Sequence, residues 1–201
     1  MTDPQGFIVV SVNFRQALAS DRFSITGLHV RVSSETYAGM LPSEYLANVM
    51  PGEKADLWER RLATPVDSER LVITLAEVNS DLAGFACFDL DEEPHFGTYL
   101  HNLYVDRSFQ GKRLGPRLLI ESINHFQAER REVPVHLLTM RENYPARRLY
   151  DRLNGRVIEQ KQNVMSRYPD VIFVRYQWPS ARVMASNAST LCAHLREEAG
   201  R

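Results

Sequence analysis

The strongest constraint on the fold is an amphipathic stripe that stands between two strand-like segments. Apolar residues recur at helical intervals after residue 113, at Leu114, Leu118, Leu119, Ile123 and Phe126. Residues 98–105 before this stripe and 135–140 after it are rich in strand-forming residues. A strand, a helix and a strand in succession predict a right-handed crossover that pairs the two strands in parallel.

The segment before this unit predicts helices followed by a hairpin. The first third is largely helical, with a break at Pro51-Gly52. Residues 71–78 and 82–90 are typical of two strands joined by the turn Asn79-Ser80-Asp81. Because four of the six residues at positions 89–94 are acidic, that stretch is interpreted as an acidic loop.

The segment after the unit predicts one more helix and one more hairpin. Tyr144 to Leu153 carries an apolar face and is stopped by Asn154-Gly155. Residues 157–167 and 171–178 follow as antiparallel strands. Beyond Pro179 the composition changes, so we expect one domain over residues 1–179 and an appended tail over 180–201, part helical near 191–198.

Composition narrows the function classes. With 24 Lys and Arg against 25 Asp and Glu, the net charge of -1 supplies no general attraction for nucleic acid or an anionic membrane. The apolar start, Phe7 to Val10, is too short for a signal core or a membrane span, which favours a cytoplasmic protein. Cys87 and Cys192 are too far apart to indicate a disulfide framework or a metal site.

The loop that enters the long helix has the composition of an anion site. Glycine at 111 and 115 lets main-chain N–H groups turn toward a ligand, and the N-terminus of the helix near Leu114 adds partial positive charge. Lys112, Arg113 and Arg117 surround the same turn, and Pro116 suits a first helical turn. The alternative is an ordinary strand-to-helix turn with solvated basic residues.

Other known phosphate and catalytic motifs fit less well. A Walker loop would need glycine at Asp106 and a hydroxyl residue at Arg113, and a dinucleotide fingerprint fails at Arg113 and Pro116. The sequence also contains no Gly-x-Ser-x-Gly elbow and no His-Glu-x-x-His pair. No resident metal is predicted.

Two motifs together resemble the GNAT-type N-acetyltransferases. The family signature Gln/Arg-x-x-Gly-x-Gly/Ala is similar to Gln110-Gly111-Lys112-Arg113-Leu114-Gly115, with Arg113 where the family most often has glycine. A second family segment is matched in full by residues at helical spacing, namely Asn143, Ala146, Leu149, Tyr150 and Gly155. The resemblance spans roughly Arg15 to Trp178 and includes a subgroup-like Tyr-x-Gly-x-Leu-Pro at 37–42.

The resemblance implies an α/β (α+β) fold with a mixed sheet, helices on both of its faces, and central strands splayed to admit acetyl-CoA. The strand before the loop would bulge and lend backbone groups to the pantetheine arm and to the oxyanion. The residues it implies for acetyl-CoA binding are Leu103, Tyr104, Val105, Gln110, Gly111, Lys112, Arg113, Leu114, Gly115, Pro116, Asn143 and Ala146.

The resemblance also implies direct transfer of an acetyl group from acetyl-CoA to a primary amine in a ternary complex. Tyr150 is the candidate acid that protonates the departing thiolate, because a phenol is a competent donor. His101 is a candidate base, with Glu35 as the runner-up. Glu35 and Tyr37 are candidate substrate contacts, and the acidic run could draw a cationic acceptor.

The acceptor is predicted only as a small-molecule or peptide amine, with no nucleic acid and no membrane partner. A homodimer through the last strands or the tail is an expectation of the same kind. The rival hypothesis is a non-catalytic acyl-CoA-binding sensor or partner module. Arg113 and the missing carboxylate at His101 motivate that rival.

Overall fold

One mixed seven-stranded sheet forms the centre of the molecule. The computed structural model describes residues 11–63, 67, 69–162 and 164–199, and in it the strand order is β1-β2-β3-β4-β5-β7-β6. The strands are β1 (Val12–Gln16), β2 (Leu71–Val78), β3 (Asp81–Glu93), β4 (Gly97–Val105), β5 (Val135–Met140), β6 (Arg156–Lys161) and β7 (Phe173–Trp178).

Five α-helices accompany the sheet within the described residues. They are α1 (Arg22–Thr36), α2 (Met50–Arg61), α3 (Leu114–Asn124), α4 (Tyr144–Arg152) and α5 (Ala181–Ala199). Helix α3 connects β4 to β5, which pair in parallel, whereas the other neighbouring strands pair antiparallel. The predicted crossover pair and both predicted hairpins are confirmed, although β6 ends at Lys161 and not at residue 167 as expected. None of the described helices is long and apolar enough to cross a membrane.

Alternation along the strands sends apolar side chains to both faces of the sheet. On β2, Ile73 and Leu75 pack with α1 and α2, around the buried Trp58. Val72 and Ala76 point the other way, into a core shared with α3, α4 and α5. The expectation of helices on both faces is confirmed, and each face has its own apolar core.

Two local expectations from the sequence are wrong. Pro51-Gly52 does not break the N-terminal helices, because a π-helical turn over Tyr45–Val49 leads directly into α2. Pro51 lies in the first turn of α2, where a missing N–H removes no helical hydrogen bond. The acidic stretch is likewise no loop up to Glu93, because β3 extends through that residue, with Asp89 buried and paired to Tyr99.

The segment beyond Pro179 is more ordered than the expected part-helical tail. Helix α5 covers Ala181–Ala199, against the helix expected only near residues 191–198. Its small and apolar face, including Ala181, Met184 and Ala188, is buried in the core that contains α3. The helix therefore packs as part of the same body as the sheet.

Candidate active site

The sheet opens between β4 and β5. These two strands pair only at Thr98 with Val135 and at Tyr99 with His136. Beyond that point β4 continues to pair with β3 as far as Val105, so it leaves β5 without leaving the sheet. The register with β3 shifts at His101, which is an extra residue between Leu100 and Asn102. A bulge and a splayed parallel pair, both implied by the family resemblance, are therefore present.

A cleft of about 440 Å³ occupies this opening. Its walls come from α1, from β4 and the loop after it, from the start of α3, from β5, from α4 and from α5. Most of the residues predicted from the sequence to bind or react lie along it, namely Tyr37, His101, Leu103, Tyr104, Val105, Gln110, Gly111, Arg113, Leu114, Gly115, Pro116, Asn143, Ala146 and Tyr150. Lys112 and Glu35 do not line it.

The loop before α3 has the backbone conformation of an anion site. Gly111 and Arg113 both have positive φ, at 75° and 62°, and Arg113 is the N-cap of α3. In the described part of the chain no group accepts a hydrogen bond from the amides of Leu114 and Gly115. These first-turn amides therefore face the cleft without a hydrogen-bond partner, and the positive end of the helix dipole lies at the same place.

The side chains of this loop take separate roles. Gln110 donates from Nε2 to the carbonyl of Val105 at 3.1 Å, which ties the loop to the end of β4. The Lys112 ammonium lies 5.0 Å from the Phe109 ring centre, and Lys112 is not among the residues that line the cleft. The Arg113 guanidinium donates to the carbonyl of Cys192 in α5 at 3.4 Å.

Helix α4 brings three of the predicted residues to the opposite wall. Asn143 is buried at the N-cap, where its Oδ1 accepts from the amide of Ala146 at 3.3 Å. Asn143 was predicted to bind the coenzyme, and the contact that its side chain makes here is the one that orders the start of this helix. One turn further on, Tyr150 is only 9% exposed and packs its ring against Tyr176 and Trp178.

The phenol of Tyr150 is held in its protonated form. Burial, followed by the neighbouring Tyr104, Tyr176 and Tyr99, raises its pKa above the ordinary value. No described residue shares a hydrogen bond with its hydroxyl group. The group is therefore a proton donor with its donor capacity unused.

The two residues predicted as substrate contacts lie in different places. Tyr37 lines the cleft at the end of α1 and shares a hydrogen bond with the hydroxyl group of Tyr104 at 3.1 Å. Burial and then Tyr104 raise the pKa of the Tyr37 phenol. Glu35 is exposed on α1, outside the cleft lining. Of these two residues, only Tyr37 is in reach of a molecule bound in the cleft.

His101 lies in the bulge and lines the cleft. Its Nε2 is hydrogen bonded to Oε2 of Glu92, and its ring lies 4.1 Å from that of Tyr99. Burial, followed by Arg61, lowers the pKa of His101, while Glu92 and Asp89 act in the opposite direction. The imidazole is therefore neutral near pH 7, which is the form able to accept a proton.

The acidic run is not a free acidic patch. Asp89 accepts hydrogen bonds from Arg70, and Asp91 pairs with Arg130. Glu92 binds His101, and Glu93 pairs with Arg175 and, more loosely, with Lys161. Every carboxylate of the run therefore has a partner, with which a cationic acceptor would have to compete.

Several lining residues were not predicted. They are apolar or small side chains, together with one arginine, namely Val32, Thr36, Leu100, Phe109, Leu137, Leu138, Thr139, Pro145, Leu149, Arg152 and Leu191. Leu149 belongs to the second motif, and Arg152 follows Tyr150 by two positions. Leu191 could not be found from the sequence, because nothing there indicates that α5 folds back onto α3.

Known proteins share this architecture. The acetyltransferase (GNAT) family model matches residues 39–155. PaiA N-acetyltransferase from Thermoplasma acidophilum, solved in complex with coenzyme A, is 17% identical with a TM-score of 0.65, covering 84% of this chain and 99% of that one. The protein yncA from Salmonella typhimurium, solved with its cofactor acetyl-CoA, is 18% identical with a TM-score of 0.60, covering 84% and 93%.

An acetyltransferase from Thermus thermophilus is 14% identical with a TM-score of 0.60, covering 86% of this chain and 99% of that one. At such identities these likenesses show the fold alone. No curated protein matches the sequence significantly.

The chain thus has a mixed sheet that opens between two parallel strands, with a helix N-terminus at the opening, and its match to the acetyltransferase family model identifies it as an acyltransferase. Because the family model covers more than half of its 201 residues, the chain belongs to the GNAT acetyltransferase family.

Proposed function

We propose that this enzyme transfers an acetyl group from acetyl-CoA to a primary amine, by direct attack in a ternary complex. The observation that carries the proposal is the continuous cleft, which runs from the unpaired amides of Leu114 and Gly115 to the phenol of Tyr150. A ligand with a diphosphate at one end and a thioester at the other matches these two ends.

The loop and the splayed strand would hold the coenzyme. The amides at the start of α3 would bind the diphosphate, and the Arg113 guanidinium would add a charge-assisted contact. Backbone groups of Leu103, Tyr104 and Val105, which do not pair with β5, would bond the pantetheine arm as a neighbouring strand does. Ala146 leaves room on the opposite wall.

The chemistry needs an oxyanion donor, an acid and a base. A main-chain amide of the splayed β4 segment would stabilise negative charge on the thioester oxygen as the amine attacks. The hydroxyl group of Tyr150 would give its proton to the departing sulfur. His101, neutral and in the same cleft, would accept the proton that the ammonium group must lose. No covalent enzyme intermediate is required.

The acceptor is proposed only as a small-molecule or peptide amine. The cleft that contains His101 is lined mostly by apolar and aromatic side chains, with Tyr37 and Leu138 among them. Since the carboxylates of the acidic run are already paired, they do not select a polycation by themselves.

Replacing Tyr150 with Phe tests the acid. We expect kcat to fall by about 100-fold or more, because general acid catalysis contributes that much, while the dissociation constant for CoA changes little. Tyr144→Phe, on the exposed side of the same helix, is the matched control. An unchanged kcat in Tyr150→Phe would remove this residue as the acid.

The second candidate is a non-catalytic acyl-CoA binder, and Arg113 in place of the usual glycine is the observation that favours it. A panel of primary amines, scored by release of free CoA, separates the two functions. Tight binding of acetyl-CoA by calorimetry with no release across the panel would select the binder. Release with any amine of the panel selects the transferase.

A further inference from the structure

The carboxylate that touches His101 is unusual among its neighbours. Asp89, Asp91 and Glu93 each pair with an arginine, which is a permanent cation. The partner of Glu92 is the imidazole of His101. Glu93 also lies 3.8 Å from Nδ1 of His136, but of these four carboxylates Glu92 is the one whose side-chain hydrogen bond is made to an imidazole.

The contact fixes the tautomer of the imidazole. An ionised carboxylate can only accept, so His101 must donate through Nε2. The lone pair is then on Nδ1, which makes no hydrogen bond to any described residue. The bulge and the ring of Tyr99, tilted by 35° with its centre 4.1 Å away, hold the imidazole in this orientation.

We propose that Glu92 is the positioning residue for His101 and that the two form a carboxylate–histidine pair that takes the proton of the acceptor amine. This inference rests on the proposed function. Glu92 belongs to no motif and does not line the cleft. The proposal assigns it an effect on the reaction that acts through its contact with Nε2 of His101.

The proton balance follows from the tautomer. The acceptor ammonium gives one proton to Nδ1 of His101, and its nitrogen forms a bond to the thioester carbon. As the carbon–sulfur bond breaks, the electron pair stays on sulfur, which takes a proton from Tyr150. The bonded nitrogen loses its second proton as the amide forms, and this proton restores the phenol of Tyr150. The imidazolium keeps its Nε2 proton, directed at Glu92, and then releases the Nδ1 proton to water. The sum is an amide, free CoA and one proton.

Several charges act on His101 from the elements around it. Glu92 and Asp89 of the neighbouring strand β3 favour the imidazolium, although the positive charge of Arg70 partly offsets the negative charge of Asp89. Arg61 of α2, held by a 2.9 Å hydrogen bond to Asn102, opposes it. His136 of β5 is neutral, because burial lowers its pKa to about 4. Glu92 is the closest of these groups and the only one in contact with the ring.

The pH profile of kcat/KM tests the pairing. In Glu92→Gln the amide oxygen can still accept from Nε2, but the negative charge is gone. We expect the acidic limb to move to lower pH by about one unit, since a carboxylate in contact raises the pKa of its partner by that much or more. The plateau should fall about tenfold, because a weaker base removes the proton less readily.

Three further variants serve as controls for that result. His101→Gln should abolish the limb, and Asp91→Asn, whose carboxylate pairs with Arg130 at the surface, should leave both limb and plateau as in the wild type. Glu92→Asp should restore part of the plateau. If Glu92→Gln lowers the plateau but leaves the limb in place, Glu92 acts only structurally and the inference is overturned.

An NMR titration of the imidazole gives a readout that needs no acceptor. The His101 signals, assigned by their loss in His101→Gln, should titrate at lower pH in Glu92→Gln than in the wild type. Equal titration overturns the inference whatever the activity. If the wild type acetylates no amine in the panel, the proposed function fails, and this titration still decides whether Glu92 controls the proton affinity of His101.

Discussion

Arg113 gives the sharpest test of the coenzyme loop, because its backbone and its side chain make separate contributions. The residue has a φ of 62° at the N-cap of α3. For a residue with a Cβ this left-handed conformation costs about 1 kcal/mol or more, whereas glycine adopts it freely. Glycine is also what the family signature most often has at this position.

Arg113→Gly and Arg113→Ala separate the two contributions. Both remove the guanidinium and its 3.4 Å contact with the carbonyl of Cys192. Only alanine keeps the left-handed strain, so we expect Arg113→Ala to be about 1 kcal/mol less stable than Arg113→Gly in urea unfolding. Arg113→Gly itself should lie within about 1 kcal/mol of the wild type, because relief of strain offsets the lost contact.

Binding of CoA by the same two variants reports the side chain. Both should bind about fivefold more weakly, since one solvent-screened charge contact to a phosphate is worth about 1 kcal/mol. That deficit should shrink as the salt concentration rises. Equal stabilities for the two variants would refute the strain argument, and unchanged CoA affinity would refute the contact with the diphosphate.

Three further predictions concern the frame around the cleft. Gly155→Ala should cost about 1 to 3 kcal/mol in urea unfolding, because an added Cβ would meet the ring of Trp178 at 2.5 Å. Burial, with Lys54 and Arg61 nearby, lowers the pKa of His29 to about 2, so only the unfolded chain takes up a proton below about pH 6.5. Because of this histidine, the free energy of unfolding should fall by about 2 kcal/mol between about pH 7 and pH 5. Leu191→Ala should cost about 2 to 4 kcal/mol and weaken CoA binding.

Each of these has a control. Gly52→Ala, in a helix with open space around the new Cβ, should not destabilise. His29→Gln should lose stability less steeply over the same pH range, and an equal slope would contradict the assignment. Val183→Ala, at an exposed position of α5, should leave both stability and affinity unchanged. A similar loss in Val183→Ala would mean that the helix as a whole, rather than its contact with the cleft, is being measured.

Local pattern was enough to predict most of the fold. The period of the apolar residues identified α3, and the turn Asn79-Ser80-Asp81 identified the β2–β3 hairpin, because both signals come from residues close in sequence. The glycine-containing loop and the α4 motif predicted most of the residues that line the cleft, again because each signal comes from residues close in sequence. These features need no knowledge of the rest of the chain.

What the sequence did not reveal depends on distant partners. The acidic run was interpreted as a loop because acidic residues are uncommon in strands. In the fold, Asp89 is neutralised by Arg70 and Glu93 by Arg175, 82 residues away. Likewise the small residues of α5 gave no clear stripe, yet Ala188 is fully buried in the core shared with α3. Contacts between residues that are distant in sequence determine both the strand at the acidic run and the burial of α5. Local propensities do not reveal such contacts.

The bulge at His101 links the fold to the proposed chemistry. In a regular strand successive side chains alternate, so His101 and Asn102 would face opposite sides of the sheet. Because β4 has one extra residue there, Asn102 pairs with Cys87 and reaches Arg61 on the α2 side, where His101 also contacts Glu92. The pairing with β5 ends just before the bulge, at Tyr99.

The extra residue of β4 thus lies where the cleft opens. It also brings the imidazole of His101, the carboxylate of Glu92 and the guanidinium of Arg61 to the same face of the sheet. Deleting His101 should therefore do more than remove a base. It should restore regular pairing and alternation in β4, so CoA affinity should fall together with kcat. His101→Gln, which keeps the bulge, should lower kcat alone, and equal CoA affinities in the two variants would refute this coupling.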